Sequence, residues 1–546
     1  MKLNDLRKEL ECLYKVGGGL DVNRIKVVEN NIDDLLGKFE VFWKQRSRAD
    51  WLRAGDRNTK FFHARASERK KRNRISGLMD SNGTLEDKPD EIEGLVTGYF
   101  SGLFSSSCPS AEMIDIVTQS VDRKVSASMN QILMSNFSSE EIHSALQQMA
   151  PAKAPGSDGL PALFYQKFWG VVGDNVVQAL LAVLNNGADL GVMSNAVVAL
   201  IPKVKSPIRI SDFRPISLCN VTYKLVAKVL ANRLKLVLND VIAPNQSAFV
   251  PDRLITDNVV VGFECLHHLN GRRRGVHGLA ALKLNMSKAY DRVEWIFIQK
   301  MMEQLGFDSR WIAKVMSCIT SASYSFLING EPKGLVKLSR GLRQGCPLSP
   351  YLFLLCAEGL TSLLSKAEVA GKLHGIKVAR YAPPVSHLFF ADDSLIFLRA
   401  SRREGQVLKE ILCAYEAASE QSINFEKSAL TFSPNTSAGV VSDVRNMFNV
   451  DVVASHDKYL GLPSSVGRNK KGVFGSILDR VWSKLQGWKG KLFSVGGKEV
   501  LIKAVVQAVS AYAMSCFRLP VSLGLEVQKM CADFWWGSSK EKRKLH

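Results

Sequence analysis

Residues 388–397 read Leu-Phe-Phe-Ala-Asp-Asp-Ser-Leu-Ile-Phe, so two adjacent carboxylates lie between two apolar runs. An isolated Asp-Asp pair is most often a solvated turn or a helix cap. Between strand-like runs, Asp392 and Asp393 instead predict a carboxylate turn that projects from a buried hairpin. Two like charges in such a place are costly unless a cation neutralises them. Carboxylate oxygens suit Mg²⁺, and two such ions can clamp the attacking and leaving oxygens of phosphoryl transfer.

The composition of this 546-residue chain predicts a globular protein of several domains that binds a polyanion. Hydrophobic residues make up 46% and charged residues 23%, which allows real cores and argues against wholesale disorder. The 72 Lys and Arg residues exceed the 52 Asp and Glu residues, giving a net charge of +20 and a pI near 9.5. This excess indicates nucleic acid first and an anionic membrane surface second.

The cysteines and the N-terminus indicate an intracellular protein. No two of the ten cysteines have C-x-x-C spacing, which favours free thiols in a reducing compartment over a zinc site or a redox pair. The charged N-terminus has no apolar core of a secretory signal. Apolar runs such as 176–184 are too short for a bilayer, which needs roughly 20 residues. We therefore expect a soluble protein without membrane association, with cytosol and nucleus both open.

Hydrophobic periodicity divides the chain into four predicted parts. These are a basic helical N-terminal extension (1–80), a mainly helical region (81–198), a region of alternating strands and helices (199–463) and a helical tail (464–546). In the third part, strands are predicted at 198–201, 280–284, 324–328 and 388–396. In the tail, apolar residues between 500 and 512 recur at nearly four-residue spacing and predict one packed face of a helix, with Ala504 and Ala508 among them.

The stretch 42–74 is strongly basic and contains aromatic residues. Its last part includes Arg69, Lys70, Lys71 and Arg72. Such a run is often only a solvated helix face. Arg and Lys interleaved with aromatics also suit phosphate contact and base stacking, so nucleic-acid contact is an equal alternative.

Several motifs together resemble the reverse transcriptases of LINE-type, non-LTR retrotransposons, especially those of the plant branch. The motifs are 212–218 (DFRPISL) with Tyr223-Lys224, 246–250 (QSAFV), 283–291 (KLNMSKAYD), 341–350 (GLRQGCPLSP), 390–393 (FADD), 458–461 (KYLG) and 534–537 (FWWG). The basic stretch 51–63 is also typical of the plant members. The resemblance spans nearly the whole chain in the right order.

The resemblance implies an α+β right-hand polymerase with helical fingers, an antiparallel palm sheet and a helical thumb. The region 81–198 then becomes an extension on the fingers side. The implied activity is RNA-templated DNA synthesis, with an RNA template, a DNA primer and deoxynucleoside triphosphates as partners. Two Mg²⁺ ions are expected, and Mn²⁺ can replace them.

The resemblance also implies roles for single residues. Asp392 and Asp393 are the expected metal ligands. Nucleotide binding is expected of Arg214, Lys224, Tyr290, Gly341, Gln344 and Gly345, with the Tyr290 ring excluding a ribose 2′-hydroxyl. Arg214 can grip a triphosphate with two donors, and the two glycines let the backbone approach a base pair. Primer contact is expected of Lys458, Tyr459, Leu460 and Gly461.

Asn285 stands where the family has its remaining catalytic aspartate. An amide keeps a carbonyl oxygen but loses the negative charge that draws two divalent ions together, so we expect this copy to be impaired. Asp291 is six residues further on, about 20 Å along a strand, and is not expected to substitute. Asp252 stands where the family usually has glycine.

Two interpretations of the chain follow. It is a reverse transcriptase that lacks the family's upstream endonuclease and downstream modules, or it is a non-catalytic nucleic-acid-binding relic of a retrotransposon.

Overall fold

The computed structural model describes residues 2–15, 21–47, 59–454, 456, 458–467, 470–486 and 495–537. The chain divides into two compact units. The first comprises Met1–Arg74 together with Lys470–His546, and the second comprises Ile75–Asn469. The division into four parts at 80, 198 and 463 stays a prediction.

Helices dominate the described residues of the first unit and surround the sheets of the second. The chain begins in the first unit with α1 (Lys2–Lys15), α2 (Val22–Ser47) and α3 (Thr59–Asn73). The second unit contains α4 (Pro89–Phe104), α5 (Ala111–Thr118), α6 (Ala127–Met134), α7 (Ser139–Gln147), α8 (Ala162–Lys167), α9 (Trp169–Asn186), α10 (Val221–Lys235), α11 (Leu238–Val241), α12 (Ile255–Gly271), α13 (Trp295–Leu305), α14 (Ser309–Thr320), α15 (Ser349–Val369), α16 (Arg402–Ser419) and α17 (Ala438–Phe448). The first unit resumes with α18 (Lys470–Gln486), α19 (Val495–Leu501), α20 (Gln507–Cys516) and α21 (Val521–Trp536).

Local sequence explains where several of these helices begin and end. Helix α7 begins with a capping box, in which Ser138 and Glu141 satisfy each other's backbone N–H groups. Helix α15 begins at Ser349 with proline in its first turn, where the missing N–H costs nothing. Helix α9 ends at Gly187, whose φ of +72° is the left-handed conformation that glycine adopts readily.

The strands of the second unit form two larger sheets and two small ribbons. The strands are β1 (Leu78–Met79), β2 (Leu85–Glu86), β3 (Ala196–Pro202), β4 (Phe213–Cys219), β5 (Gly278–Ser287), β6 (Ser323–Ile328), β7 (Glu331–Lys337), β8 (His387–Phe390), β9 (Asp393–Ala400), β10 (Ser422–Ile423), β11 (Ala429–Phe432), β12 (Asp451–Val452), β13 (Lys458–Tyr459) and β14 (Leu462–Pro463). One sheet has the order β4-β3-β6-β7, with β3 and β6 parallel. The larger sheet has the order β12-β11-β5-β9-β8, with β10 also paired to β5. Its pairs are antiparallel except β11 with β12.

Strands β5 and β9 lie at the centre of the larger sheet and are covered on both faces. Side chains alternate along a strand, so neighbours point to opposite faces. Leu279 and Phe397 belong to an apolar cluster that includes residues of α12. Leu282 and Ile396 belong to the main core, which includes residues of α16. Burial of both faces explains why every residue from 278 to 282 is buried.

The prediction of an α+β fold is confirmed. All four regions predicted as strands contain strands, and 388–396 consists of two strands joined by a turn. The predicted antiparallel sheet corresponds to the larger sheet, apart from its one parallel pair. The division into fingers, palm and thumb remains an interpretation.

The apolar stripe predicted in the C-terminal helices is only partly buried. Leu501 is buried, but Ala504 and Ala508 are exposed, whereas Val506 and Ala513, outside the predicted stripe, are buried. The cause is a π-helical segment at 502–506, between α19 and α20. A π turn contains an extra residue, so it rotates the following helix and changes which side chains face the neighbouring helices.

The helical stretch Val495–Cys516 is, among the described residues, the one long and apolar enough to cross a membrane by length and composition. Core helices of soluble proteins can share these properties. The expectation that the chain does not associate with a membrane therefore stays a prediction.

Candidate active site

The two adjacent carboxylates form the turn between β8 and β9. Phe390 pairs with Asp393 across the hairpin, which leaves Ala391 and Asp392 as the turn, with Ala391 at φ +54°. Asp392 is exposed and Asp393 is half-buried. Burial, and then the charge of Asp392, raise the pKa of Asp393. This repulsion between neighbouring carboxylates is what a bound cation would relieve.

Asn285 is the partner of Asp393 on the neighbouring strand β5. Its backbone is fixed on both sides: its N–H donates to Ser428 Oγ at 3.3 Å, and its carbonyl accepts from Asn424 N at 2.7 Å. The side chain is half-buried and lines the same cavity as Asp392. The structure thus places an amide where the resemblance predicts the third catalytic carboxylate.

The donor set at this position has one carboxylate fewer than the resemblance predicts. Asp392 and Asp393 supply two negative charges, and Asn285 adds only a neutral carbonyl oxygen. Two divalent ions would bring four positive charges to this pair. Among the described residues, no group of three or more His, Cys, Asp or Glu side chains is arranged to hold a metal.

Beyond Asn285, a sharp turn brings two further residues into the same cavity. Lys288 has φ +53°, and Asp291 N donates back to Lys288 O at 2.9 Å. Tyr290 and Asp291 therefore line the cavity together with Asn285. The 20 Å separation expected for an extended strand does not apply, because β5 ends at Ser287.

Asp291 is nevertheless engaged with another residue. It is only 4% exposed, and its Oδ1 accepts a hydrogen bond of 2.9 Å from Gln344 Nε2. Burial raises its pKa to about 6, even though the Gln344 hydrogen bond and the charge of Lys288 act in the opposite direction. Its carboxylate is thus a component of the cavity wall.

The raised pKa of Asp291 predicts that its ionisation lowers stability. The pKa is higher in the folded state than the ordinary value of 3.8, so the folded state binds more protons between pH 3.8 and about 6. The free energy of unfolding should therefore fall with rising pH across this window. We expect Asp291→Asn, whose amide oxygen can still accept from Gln344, to remove this part of the pH dependence. Urea unfolding of both chains at pH 4.5 and 7.5 checks this. The prediction is contradicted if the free energy of unfolding falls as much between these two pH values in the variant as in the wild-type chain.

Tyr290 is held in one orientation by an aromatic stack. Its ring lies 4.8 Å from the ring of Phe353, with an interplanar angle of 7°. Burial, and then the charge of Asp392, raise its pKa, so its hydroxyl stays neutral. The residue predicted to exclude a 2′-hydroxyl is therefore a fixed part of the cavity.

The loop 341–350 is fixed to the rest of the unit through its glycines. Gly341 has φ +92°, and a Cβ there would lie 2.7 Å from the backbone oxygen of Asp291. Gly345 has φ +118°, and a Cβ there would lie 2.9 Å from the backbone oxygen of Ser217. Ser217 N also donates to Gln344 O at 2.9 Å. The close approach that requires glycine is thus to the protein's own backbone, while Gln344 and Gly345 line the cavity and Gly341 does not.

Cationic side chains gather in this cavity of about 690 Å³. Arg214, predicted from its motif, is exposed and lines it. Four others, Lys203, Lys288, Arg343 and Lys427, also line it and were not predicted from the sequence. Lys288 lies in the motif 283–291 and Arg343 in the motif 341–350, so their positions in the sequence could have indicated a role at the site. Lys203 and Lys427 lie outside every motif.

The remaining predicted residues lie outside the lining of the cavity. Lys224 donates to the carbonyl of Ala154 at 3.3 Å, in the loop that precedes α8. Tyr459 is 3% exposed and its hydroxyl donates to Asn258 Oδ1 at 3.3 Å, while the carbonyl of Lys458 accepts from Lys283 Nζ at 2.8 Å. Leu460 and Gly461 form the turn between β13 and β14. The roles assigned to these residues stay predictions.

The basic residues of the N-terminal extension belong to the first unit. Lys70, Lys71 and Arg72 are exposed in the last turn of α3, and Arg69 is half-buried. Most of the stretch 51–63, namely residues 51–58, lies outside the described residues. Asp252 adopts φ +62°, the conformation for which glycine is expected at this position.

Comparison with known proteins gives the same assignment. Residues 201–463 match the family described as "Reverse transcriptase (RNA-dependent DNA polymerase)". The "Transposon TX1 uncharacterized 149 kDa protein" of Xenopus laevis is 29% identical over 503 residues, which are 90% of this chain and 37% of that protein. The "Retrovirus-related Pol polyprotein from type-2 retrotransposable element R2DM" of Drosophila melanogaster is 24% identical over 342 residues, 60% of this chain and 31% of that protein.

A shorter relative is more similar. The "Uncharacterized mitochondrial protein AtMg01250" of Arabidopsis thaliana is 58% identical over 69 residues, 13% of this chain and 57% of that protein. The chain thus spans between about a third and somewhat over half of the length of these three relatives. Residues 201–463 of this chain are therefore similar to reverse transcriptases, and the chain resembles proteins of transposons and retrotransposable elements.

Proposed function

We propose that the chain is the polymerase part of a LINE-type reverse transcriptase, with fingers and palm in 199–463 and a helical thumb in 464–546. The observation that supports this best is the shared cavity. Asn285 and Tyr290 come from one motif, Asp392 and Gln344 come from two others, and all four line one space. The larger antiparallel sheet, which carries the carboxylate turn at one end of β5 and β9, suits a palm.

The proposed reaction joins a deoxynucleotide to a DNA primer on an RNA template. The 3′-hydroxyl of the primer attacks the α-phosphate of a deoxynucleoside triphosphate, loses its proton, and pyrophosphate leaves. Arg214 would bind the triphosphate, and the fixed ring of Tyr290 would exclude a ribose 2′-hydroxyl. Asp392 and Asp393 would hold a divalent ion, Mg²⁺ or Mn²⁺, which when bound stabilises negative charge on the phosphoryl oxygens.

Nucleic-acid binding is proposed for surfaces outside the cavity. The exposed cations Lys70, Lys71 and Arg72 suit phosphate contact, and segment 458–461 suits contact with the primer. Membership of the plant branch is also proposed, supported by the short, more similar Arabidopsis relative.

A second function, non-catalytic binding of nucleic acid, is supported by Asn285 itself. Loss of one metal-binding carboxylate removes charge stabilisation worth several kcal/mol. A chain that lacks this carboxylate can still bind template and primer, because contacts with the nucleic acid need no carboxylate.

A primer-extension assay tests the proposal. The Asn285→Asp chain should extend a DNA primer on an RNA template with deoxynucleotides in Mg²⁺ or Mn²⁺. Adding Asp392→Asn to it should abolish extension, and adding Tyr290→Ala should admit ribonucleotides. Arg445→Gln, at an exposed position on α17, is the matched control. If the folded Asn285→Asp chain binds template and primer but extends none, the non-catalytic function is the correct one.

A further inference from the structure

The hairpin that carries the two carboxylates is held from outside the cavity by the segment 245–248. Phe389 N donates to the carbonyl of Asn245 at 2.8 Å, and Ser247 N donates to the carbonyl of Phe389 at 3.1 Å. Gln246 thereby forms a parallel bridge with Phe389 on β8, the edge strand of the larger sheet. The segment thus covers an edge whose backbone groups would otherwise be unpaired.

The side chain of Gln246 makes a direct hydrogen bond to the turn. The residue is 2% exposed, and its Oε1 accepts from Ala391 N at 3.0 Å and from Ala248 N at 3.0 Å. Ala391 has φ +54°, in the left-handed region that alanine rarely adopts. Such a conformation persists only where the surrounding structure determines it. The hydrogen bond from Ala391 therefore helps to fix the residue that precedes Asp392, and with it the direction of that carboxylate.

The backbone of Gln246 is itself fixed. Arg253 Nη1 donates to the carbonyl of Gln246 at 2.7 Å, and Arg253 Nη2 donates to the carbonyl of Ile242 at 2.8 Å. The donors of a guanidinium lie in a rigid fork, so Arg253 holds these two carbonyls in one arrangement. Gln246 does not line the cavity. It can therefore set the geometry of the turn without touching an ion or a nucleotide in the cavity.

Folding alone does not explain a glutamine at this position. Its Nε2 is buried and has no hydrogen-bond partner among the described residues. A buried donor without a partner lowers stability and needs another explanation. The need for a neutral acceptor at the turn supplies one. A carboxylate would accept from the same two N–H groups, but it would add a negative charge near Asp392 and Asp393.

We infer that Gln246 is a positioning residue, whose amide oxygen holds the turn at Ala391 so that the carboxylate of Asp392 is set to bind a divalent ion. The inference rests on the proposed function for the presence of the ion. It adds the residue that fixes the ligand from behind, on a segment that comes from a different motif.

Mn²⁺ binding to the full chain with Asn285→Asp tests the inference, with free Mn²⁺ measured by electron paramagnetic resonance. Gln246→Asn is the main variant. Its shorter side chain can still accept from Ala248 N, as in an Asx turn, but ends one methylene short of Ala391 N. The Kd for Mn²⁺ should rise about tenfold, or about 1.4 kcal/mol, close to the net contribution of one hydrogen bond. Asp392→Asn, which removes the ligand, should raise the Kd further.

Two further variants separate positioning from stability. Asn245→Ala removes a 2.9 Å hydrogen bond from the same segment to the carbonyl of His387, at the other end of β8. It should lower the free energy of unfolding and leave the Kd for Mn²⁺ unchanged. Adding Ala391→Gly to Gln246→Asn should restore most of the affinity, because glycine adopts positive φ without the penalty of alanine. If Gln246→Asn does not fold, Gln246→Met, an apolar side chain of similar length, replaces it with the same expectations.

The outcomes separate this inference from the proposed function. An unchanged Kd in folded Gln246→Asn, an equal rise in Asn245→Ala or no restoration by Ala391→Gly overturns the inference, even if the Asn285→Asp chain synthesises DNA. An unchanged Kd in Asp392→Asn also overturns it, because the ion then binds elsewhere. A Kd that depends on Gln246 in a chain that extends no primer supports the inference and contradicts the polymerase.

Discussion

The Asn285→Asp chain is expected to extend a primer about a hundredfold faster than the wild-type chain in Mg²⁺. At roughly 4 Å and an effective dielectric constant of about 20, a new negative charge attracts a cation by about 4 kcal/mol per unit charge. Retaining about 3 kcal/mol of this in the transition state corresponds to a hundredfold change in rate. The measurement is the single-turnover rate of extension at saturating deoxynucleotide.

Asn285→Gln is the control for this prediction, because it changes the side chain without adding charge. It should give no gain in rate. The backbone at 285 is held by Ser428 and Asn424, so both variants should keep the wild-type fold. Equal rates in the wild-type and Asn285→Asp chains would show that another group, with Asp291 of the same cavity as a candidate, already supplies the missing charge. Loss of extension in Asp291→Asn that is restored in Asn285→Asp/Asp291→Asn would identify Asp291 as this group.

Gly341→Ala is expected to lower the free energy of unfolding by about 3 kcal/mol. Two costs add at this position. A non-glycine residue at positive φ costs roughly 1–2 kcal/mol, and a Cβ placed 2.7 Å from the Asp291 backbone oxygen forces the chain to shift, at a similar cost. Gly341 also accepts a 2.8 Å hydrogen bond from Trp295 Nε1, so the shift would disturb the cavity wall.

Alanine variants of two other glycines separate the conformational cost from the steric cost. Gly330→Ala meets open space at φ +108° and should lose only the conformational part, about 1 kcal/mol. Gly439→Ala, within α17 and also in open space, should be neutral or stabilising. The shift in the urea midpoint of all three variants checks the prediction. Equal losses for Gly341→Ala and Gly330→Ala would show that the predicted collision is absorbed without cost.

The sequence was sufficient for features that depend on local pattern. Alternating and continuous apolar runs predicted strands at β3, β5, β6 and the β8–β9 hairpin, because burial selects those residue types. The helical register at 502–506 was not predictable in this way, since a π turn leaves the composition unchanged. The steric reason for glycine at position 341 was also not predictable, because the backbone oxygen that it approaches belongs to Asp291, in another part of the chain.

The site was predictable where a motif carries the residue. Asn285, Asp392, Tyr290 and Gln344 do share one cavity. Lys203 and Lys427 enter it through tertiary packing alone, so no pattern around them marks them. For Asp291, the separation along an extended strand does not apply, because β5 ends at Ser287 and the chain turns at Lys288. That Asp291 does not substitute for the missing carboxylate stays a prediction.

The backbone hydrogen bonds that hold position 285 have a consequence for how such a chain accumulates mutations during evolution. Both hydrogen bonds involve backbone atoms, and the side-chain amide has no hydrogen bond to a described residue. The hydrogen bonds that hold position 285 are therefore available to aspartate and asparagine alike, and an aspartate there would add a third negative charge beside Asp392 and Asp393. Selection that acts on solubility or abundance cannot preserve the aspartate, and only selection for DNA synthesis can. A retrotransposon copy can therefore lose this carboxylate in a single neutral event and persist as a well-folded protein.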